Sequence, residues 1–135
     1  VVVVHSNCDH YDYLLLSSYN YWDFPKGVVE TDESPLQAAI REVEEETTLT
    51  DLRFRWGDVY RETHPYNQGR KVARYYIAES ATTEIRLPTN PQLGRPEHSE
   101  YRWVDHAEAW NLLTPRVRAI LEWTDNILIR PTRRR

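Results

Sequence analysis

Four carboxylates crowd five consecutive positions of one predicted helix: Glu42, Glu44, Glu45 and Glu46, with only Val43 between them. Like charges at i,i+4 spacing on a helix destabilise it by about 0.2–0.5 kcal/mol per pair. The cluster also stands near a helix C-terminus, where the macrodipole favours cations. Stability alone gives no reason for this arrangement, but geometry does. Glu42, Glu45 and Glu46 stand at i, i+3 and i+4, so they project from one face within about one turn, while Glu44 points away. Oxygen-bearing side chains converging on one spot suit a hard divalent cation, Mg²⁺ or Mn²⁺, which also retains waters. Arg41 stands where a bidentate guanidinium contact would restrain a carboxylate of the cluster. The competing reading is a solvated acidic helix face, which is what most charge runs are.

The elements that must position these groups are legible on either side. Ser34 is placed to cap the helix, Pro35 suits its first turn and Gln37 closes a capping box. Leu36, Ala39, Ile40 and Val43 form an apolar stripe at helical spacing. Residues 1–5 and 13–18 read as strands separated by a polar turn at 6–10, and Pro25 and Gly27 mark a loop before the helix. Residues 52–62 and 71–80 read as hairpin strands joined across His64–Gly69. A short strand is expected at 84–87, a Pro-interrupted loop at 88–96 and a further strand at 101–104. Asp105 caps a helix through Leu113, and Thr114-Pro115 starts another reaching about Ile129 with Val117, Ile120, Leu121 and Leu128 inward. This order predicts an α/β domain, a mixed sheet packed by helices.

A chain of 135 residues is one domain with a real core. It is read as a single domain over 1–129 followed by a basic tail at 130–135. Apolar and charged shares of 40% and 28% fit a globular protein, and no apolar run nears the roughly 20 residues of a membrane helix. The lone Cys8 has no internal partner, so a reducing, cytoplasmic setting is expected. The opening Val1–Val4 without Met reads as a start inside a strand, with residues upstream of it. The net charge of −4 conceals Arg130, Arg133, Arg134 and Arg135 in the tail, so the body is more acidic still. A net acidic chain that handles polyphosphate needs a divalent ion to mask the repulsion. The tail reads either as a solvated end or as a contact to nucleic acid.

Beyond the acidic run, Gly27, Glu33, Arg41-Glu42-Val43, Glu45-Glu46 and Leu49 fall at fixed intervals. The segment from Gly27 to Leu49 resembles the Nudix box: Gly, five residues, Glu, seven residues, Arg-Glu-apolar, one residue, Glu-Glu, one residue, Gly, apolar. The one departure is Thr48, where the family has Gly; a β-branched residue is strained at the positive φ that Gly permits there. Either the helix ends differently, or the strain is tolerated.

The resemblance implies an α/β/α sandwich whose loop-helix-loop binds Mg²⁺ or Mn²⁺ and hydrolyses a phosphoanhydride in a nucleotide-linked substrate. It implies Glu45 and Glu46 as principal metal ligands with Glu42 close by, the Gly27 carbonyl as a further ligand, and Glu33 with Arg41 holding the motif in shape.

Further segments are similar to the asymmetric bis(5′-nucleosyl)-tetraphosphatases: Trp22–Gly27, Arg74–Glu79 and Glu97–Trp103. The similarity implies hydrolysis of diadenosine tetraphosphate to ATP and AMP. It implies Lys26 on phosphate, Tyr75 stacking on adenine, and Glu97 as an extra metal ligand or catalytic base. Tyr21 stands where those enzymes often carry His. Each outer residue keeps a plain alternative: Lys26 and His98 as solvated loop residues, Trp103 as core, and one of Tyr75 and Tyr76 as core because they alternate across a strand. Other Nudix substrates stay open, namely RNA 5′ ends, nucleoside triphosphates and ADP-ribose, as does a noncatalytic nucleotide-binding module.

Overall fold

The computed structural model describes residues 1–27, 32–69 and 71–128, so the basic tail at 130–135 lies outside the described residues. Eight strands and three helices follow in order: β1 Val2–Asn7, β2 His10–Ser18, β3 Tyr21–Asp23, α1 Pro35–Thr47, β4 Tyr60–Glu62, β5 Arg74–Glu79, β6 Thr89–Asn90, β7 Arg95–Pro96, β8 Glu100–Val104, α2 His106–Leu112 and α3 Pro115–Leu128. The main sheet runs β3-β2-β1-β5-β4, with β8 on the other edge of β2. It is mixed, because β1 lies parallel to β5 (Val2 opposite Ile77) while its remaining pairings are antiparallel.

The runs Val1–Val4 and Leu14–Leu16 lack a polar/apolar alternation because both faces of the sheet are covered. Val1, Val3, Leu14, Leu16 and Ala78 pack with Val43 of α1. Val2, Val4, Leu15, Tyr75, Ile77 and Val104 face the opposite way, against Ala109 of α2 and Val117, Ile120 and Leu121 of α3. The result is the expected α/β/α sandwich. Helix α1 carries the capping box read from the sequence: Gln37 N donates to Ser34 Oγ at 3.1 Å and Ser34 N donates to Gln37 Oε1 at 2.9 Å.

Four local expectations need correction. Ile40 is 40% exposed; the inner stripe of α1 is completed instead by Glu46 and Thr47. The strand expected over 52–62 is broken, because Gly57 at φ +83° closes a turn by donating to Phe54 O. Only Arg53, in an isolated bridge to Glu79, and Tyr60–Glu62 pair with β5. Residues 84–87 form no strand; Arg86 N donates to Thr47 O at 3.2 Å and Ile85 is buried, so the segment closes over the end of α1. The stretch 88–96 carries a small hairpin, β6 against β7, turned at Gly94 with φ +69°.

Candidate active site

Helix α1 is pinned to the sheet by Val43, fully buried, so the residues on either side of that contact are delivered to the sheet's edge. One turn on, Thr47 Oγ1 donates to Val43 O and accepts from Leu49 N, which fixes the helix end. Thr48 then adopts φ +66°, ψ +8°, with its N–H on Glu44 O at 2.8 Å. The chain therefore leaves the helix through the left-handed conformation that Gly would take, and a Thr bears the strain.

The box residues lock together around this helix. Arg41 grips Glu33 with two bonds, Nε to Oε2 at 2.6 Å and Nη2 to Oε1 at 3.1 Å. The same guanidinium reaches Glu45 Oε1 at 3.0 Å. Gly27 lies directly against Glu42: a Cβ added there would fall inside the Glu42 carboxylate. This close approach, rather than backbone freedom, means that a side chain at Gly27 would have to displace the Glu42 carboxylate.

The carboxylates do not converge in the way helical spacing alone suggests. Glu45 turns outward to Arg41, its side chain 58% exposed. Glu46 points inward, only 8% exposed, and its Oε1 has no hydrogen-bond partner among the described residues. Facing it are Glu97 and His98, from the segment between β7 and β8. One donor atom from each of Glu46, Glu97 and His98 lies within 4.8 Å of the other two. The Glu97-His98 backbone is held at the end of β2, where Ser99 N donates to Ser17 O at 2.9 Å and Ser18 Oγ to Glu97 O at 3.4 Å. Glu42, Glu45 and the β6–β7 hairpin complete the walls of a cleft of about 900 Å³.

Electrostatics match this geometry. Burial, then repulsion from Glu97 and Glu42, raises the Glu46 carboxyl from 4.5 to about 8. Burial also lowers the His98 imidazole below its ordinary value, and its Nδ1 is buried without a partner among the described residues. A carboxylate deprived of water beside another carboxylate and a neutral imidazole is a donor set that a divalent cation satisfies. These donor atoms lie within 4.8 Å of one another, and donors sharing one ion at about 2.1 Å each stand no more than about 4.2 Å apart, so small side-chain movements bring the cluster onto an ion. The residues present fit the metal that the sequence led us to expect.

The other candidates divide. Lys26 is partly exposed and ion-paired to Asp23 Oδ2 at 3.0 Å, beside the site. Tyr75 must be corrected: it is 0% exposed, packed edge-on to Phe24, with its hydroxyl donating to Asp23 Oδ1 at 3.0 Å. A ring enclosed on all sides has no face to offer a base. Exposed rings occur elsewhere on the α1 side of the sheet. Tyr21 and Tyr101 pair with Ser18 and Leu16 of β2, and are 68% and 39% exposed. His98, read from the sequence as a solvated loop histidine, instead has its Nδ1 buried at the site.

A profile of the NUDIX domain matches residues 1–126. The chain belongs to the Nudix family. A bis(5′-nucleosyl)-tetraphosphatase [asymmetrical] of Sus scrofa is 33% identical over 106 residues, covering 75% of this chain and 69% of that protein. An RNA pyrophosphohydrolase of Hahella chejuensis is 29% identical over 99 residues, covering 63% of this chain and 60% of that protein. Among solved structures, the binary complex of a C. elegans Ap4A hydrolase shares this Nudix fold with a TM-score of 0.78 at 21% identity, over 94% of each chain. The NUDIX domain of Shewanella oneidensis NrtR, solved with ADP ribose, has a TM-score of 0.71 at 17% identity, over 94% of this chain and 84% of that one.

Proposed function

We propose that this Nudix protein is a metal-dependent hydrolase that splits dinucleoside polyphosphates asymmetrically, converting diadenosine tetraphosphate and water to ATP and AMP. The observation that carries the reading is the buried Glu46 carboxylate, its Oε1 unpartnered among the described residues, facing Glu97 in an open acidic cleft. Such a group is costly to keep without a cationic partner. Glu46 and Glu97 are the proposed metal ligands, with Glu42 beside them, the Gly27 carbonyl next to Glu42, and Glu45 at the rim. A divalent ion held there, Mg²⁺ or Mn²⁺, would supply charge that offsets the polyphosphate and would lower the pKa of a bound water.

The chain's own residues do the rest. Arg41 fixes Glu33 and Glu45, keeping the box rigid so that little reorganisation accompanies reaction. Lys26, held by Asp23 and within electrostatic reach of Glu46, adds a cation for the phosphate chain. We assign to Glu97, besides metal binding, acceptance of a proton from the attacking water through its other carboxylate oxygen. Tyr21 and Tyr101 offer the exposed aromatic faces that Tyr75 lacks, and base stacking is assigned to them.

The similarity to asymmetric tetraphosphatases favours this substrate, and that to an RNA pyrophosphohydrolase makes triphosphorylated RNA the second reading. Comparing kcat/KM for diadenosine tetraphosphate, triphosphorylated RNA and ADP-ribose with saturating Mg²⁺ tests the choice. We expect the dinucleotide to lead by at least tenfold. Preference for RNA, or ADP as sole product from the dinucleotide, overturns the assignment.

A further inference from the structure

Glu46 and Glu97 supply only oxygen, yet the third group of the cluster supplies nitrogen. His98 directs a ring nitrogen to within 4.8 Å of both carboxylates, and its Nδ1 is buried with no hydrogen-bond partner among the described residues. A solvated loop histidine would satisfy its nitrogens with water. Here Nδ1 is closed off from solvent, and the backbone is constrained on both sides, by Ser99 N on Ser17 O and by Glu97 O on Ser18 Oγ. Glu46, more than nine-tenths buried with Oε1 unpartnered, is aimed at the same point.

We propose that His98 is a direct ligand of the metal, and that its nitrogen strengthens the binding of a first-row divalent ion such as Mn²⁺ more than that of Mg²⁺. This rests on the preceding reading that Glu46 and Glu97 hold a divalent ion. Mg²⁺ is a hard cation that takes oxygen ligands in near-ideal octahedra and gives up its waters reluctantly. First-row divalent ions accept imidazole together with carboxylate, so a ring nitrogen adds more to their binding than to that of Mg²⁺.

Pulsed EPR of the Mn²⁺-loaded protein tests the proposal without relying on turnover. We expect ¹⁴N modulation from one directly bound imidazole, replaced by a ¹⁵N signal when the wild-type protein is grown with ¹⁵N-histidine. In His98→Gln the nitrogen signal disappears. By calorimetry, Mn²⁺ affinity then falls about tenfold or more, while Mg²⁺ affinity falls by much less. Stoichiometric Mn²⁺ binding without nitrogen coupling in the wild-type protein overturns the His98 assignment and leaves the carboxylate site standing. No Mn²⁺ binding at all overturns both. Because the isotope experiment uses the unaltered chain, a misfolded variant does not blunt the test.

Discussion

Replacing Glu46 by Gln separates the cost of the carboxylate to the fold from its use in the site. In the metal-free protein this carboxyl ionises only near pH 8, whereas its ordinary value is 4.5. A folded-state value raised in this way means that stability is fully present below about pH 4.5. It is lost progressively as pH rises toward 8, because the folded chain must either hold a proton or bury a charge. At about 1.4 kcal/mol per pH unit, ionisation in the unfolded chain costs the fold on the order of 3 kcal/mol by pH 7. Gln carries no such term and keeps the shape. In EDTA at pH 7 we therefore expect Glu46→Gln to melt higher than the wild-type protein by roughly 5–10 °C. The gap should close toward pH 5. Saturating Mg²⁺ or Mn²⁺ should raise the wild-type Tm and leave the variant's unchanged, while turnover in the variant falls at least ~100-fold. Scanning calorimetry across pH 5–8 is the assay. A variant that melts lower than wild type at pH 7, or a gap that does not depend on pH, refutes the placement of Glu46 as a buried carboxylate awaiting a cation.

Four further substitutions test other parts of the site. Thr48→Gly relieves a left-handed β-branched residue, which costs about 1–3 kcal/mol, against about 0.4–1 kcal/mol of added chain entropy. Chemical denaturation should thus show a gain of roughly 1 kcal/mol with activity retained, and a loss of stability contradicts the strain. Gly27→Ala drives a methyl into Glu42, so Mn²⁺ affinity by calorimetry should drop at least ~10-fold; unchanged affinity refutes the packing. Tyr101→Ala should raise KM for the dinucleotide several-fold, at about 1 kcal/mol of stacking, whereas Tyr75→Phe should leave KM unchanged and lower stability by about 1–2 kcal/mol through the lost bond to Asp23. The opposite pattern would return base stacking to Tyr75.

Much of this site was legible before any coordinates because the box is local. Capping by Ser34 and Gln37 and the burial of Val43 follow from spacing along one helix, and the grip of Arg41 on Glu33 was implied by the resemblance to the box. What spacing could not say is which carboxylate turns inward. Glu45 is drawn outward by Arg41 and Glu46 is buried against a segment some fifty residues away in the chain, so their roles are set by tertiary contact. Tyr75 misled for a related reason. Strand alternation requires one of Tyr75 and Tyr76 to face α3, but with both sheet faces covered, both rings are buried. The broken strand near Gly57 and the hairpin at Gly94 were each marked by a glycine whose turn-forming role outweighed the surrounding β-favouring residues.

The most direct test of metal-assisted, asymmetric hydrolysis at this cleft is product analysis of diadenosine tetraphosphate in ¹⁸O-enriched water, with and without Mg²⁺. With Mg²⁺ we expect equal amounts of ATP and AMP, one ¹⁸O atom entering per bond cleaved and confined to one of the two products, and no reaction in EDTA. Two molecules of ADP, or full turnover in EDTA, would contradict the account.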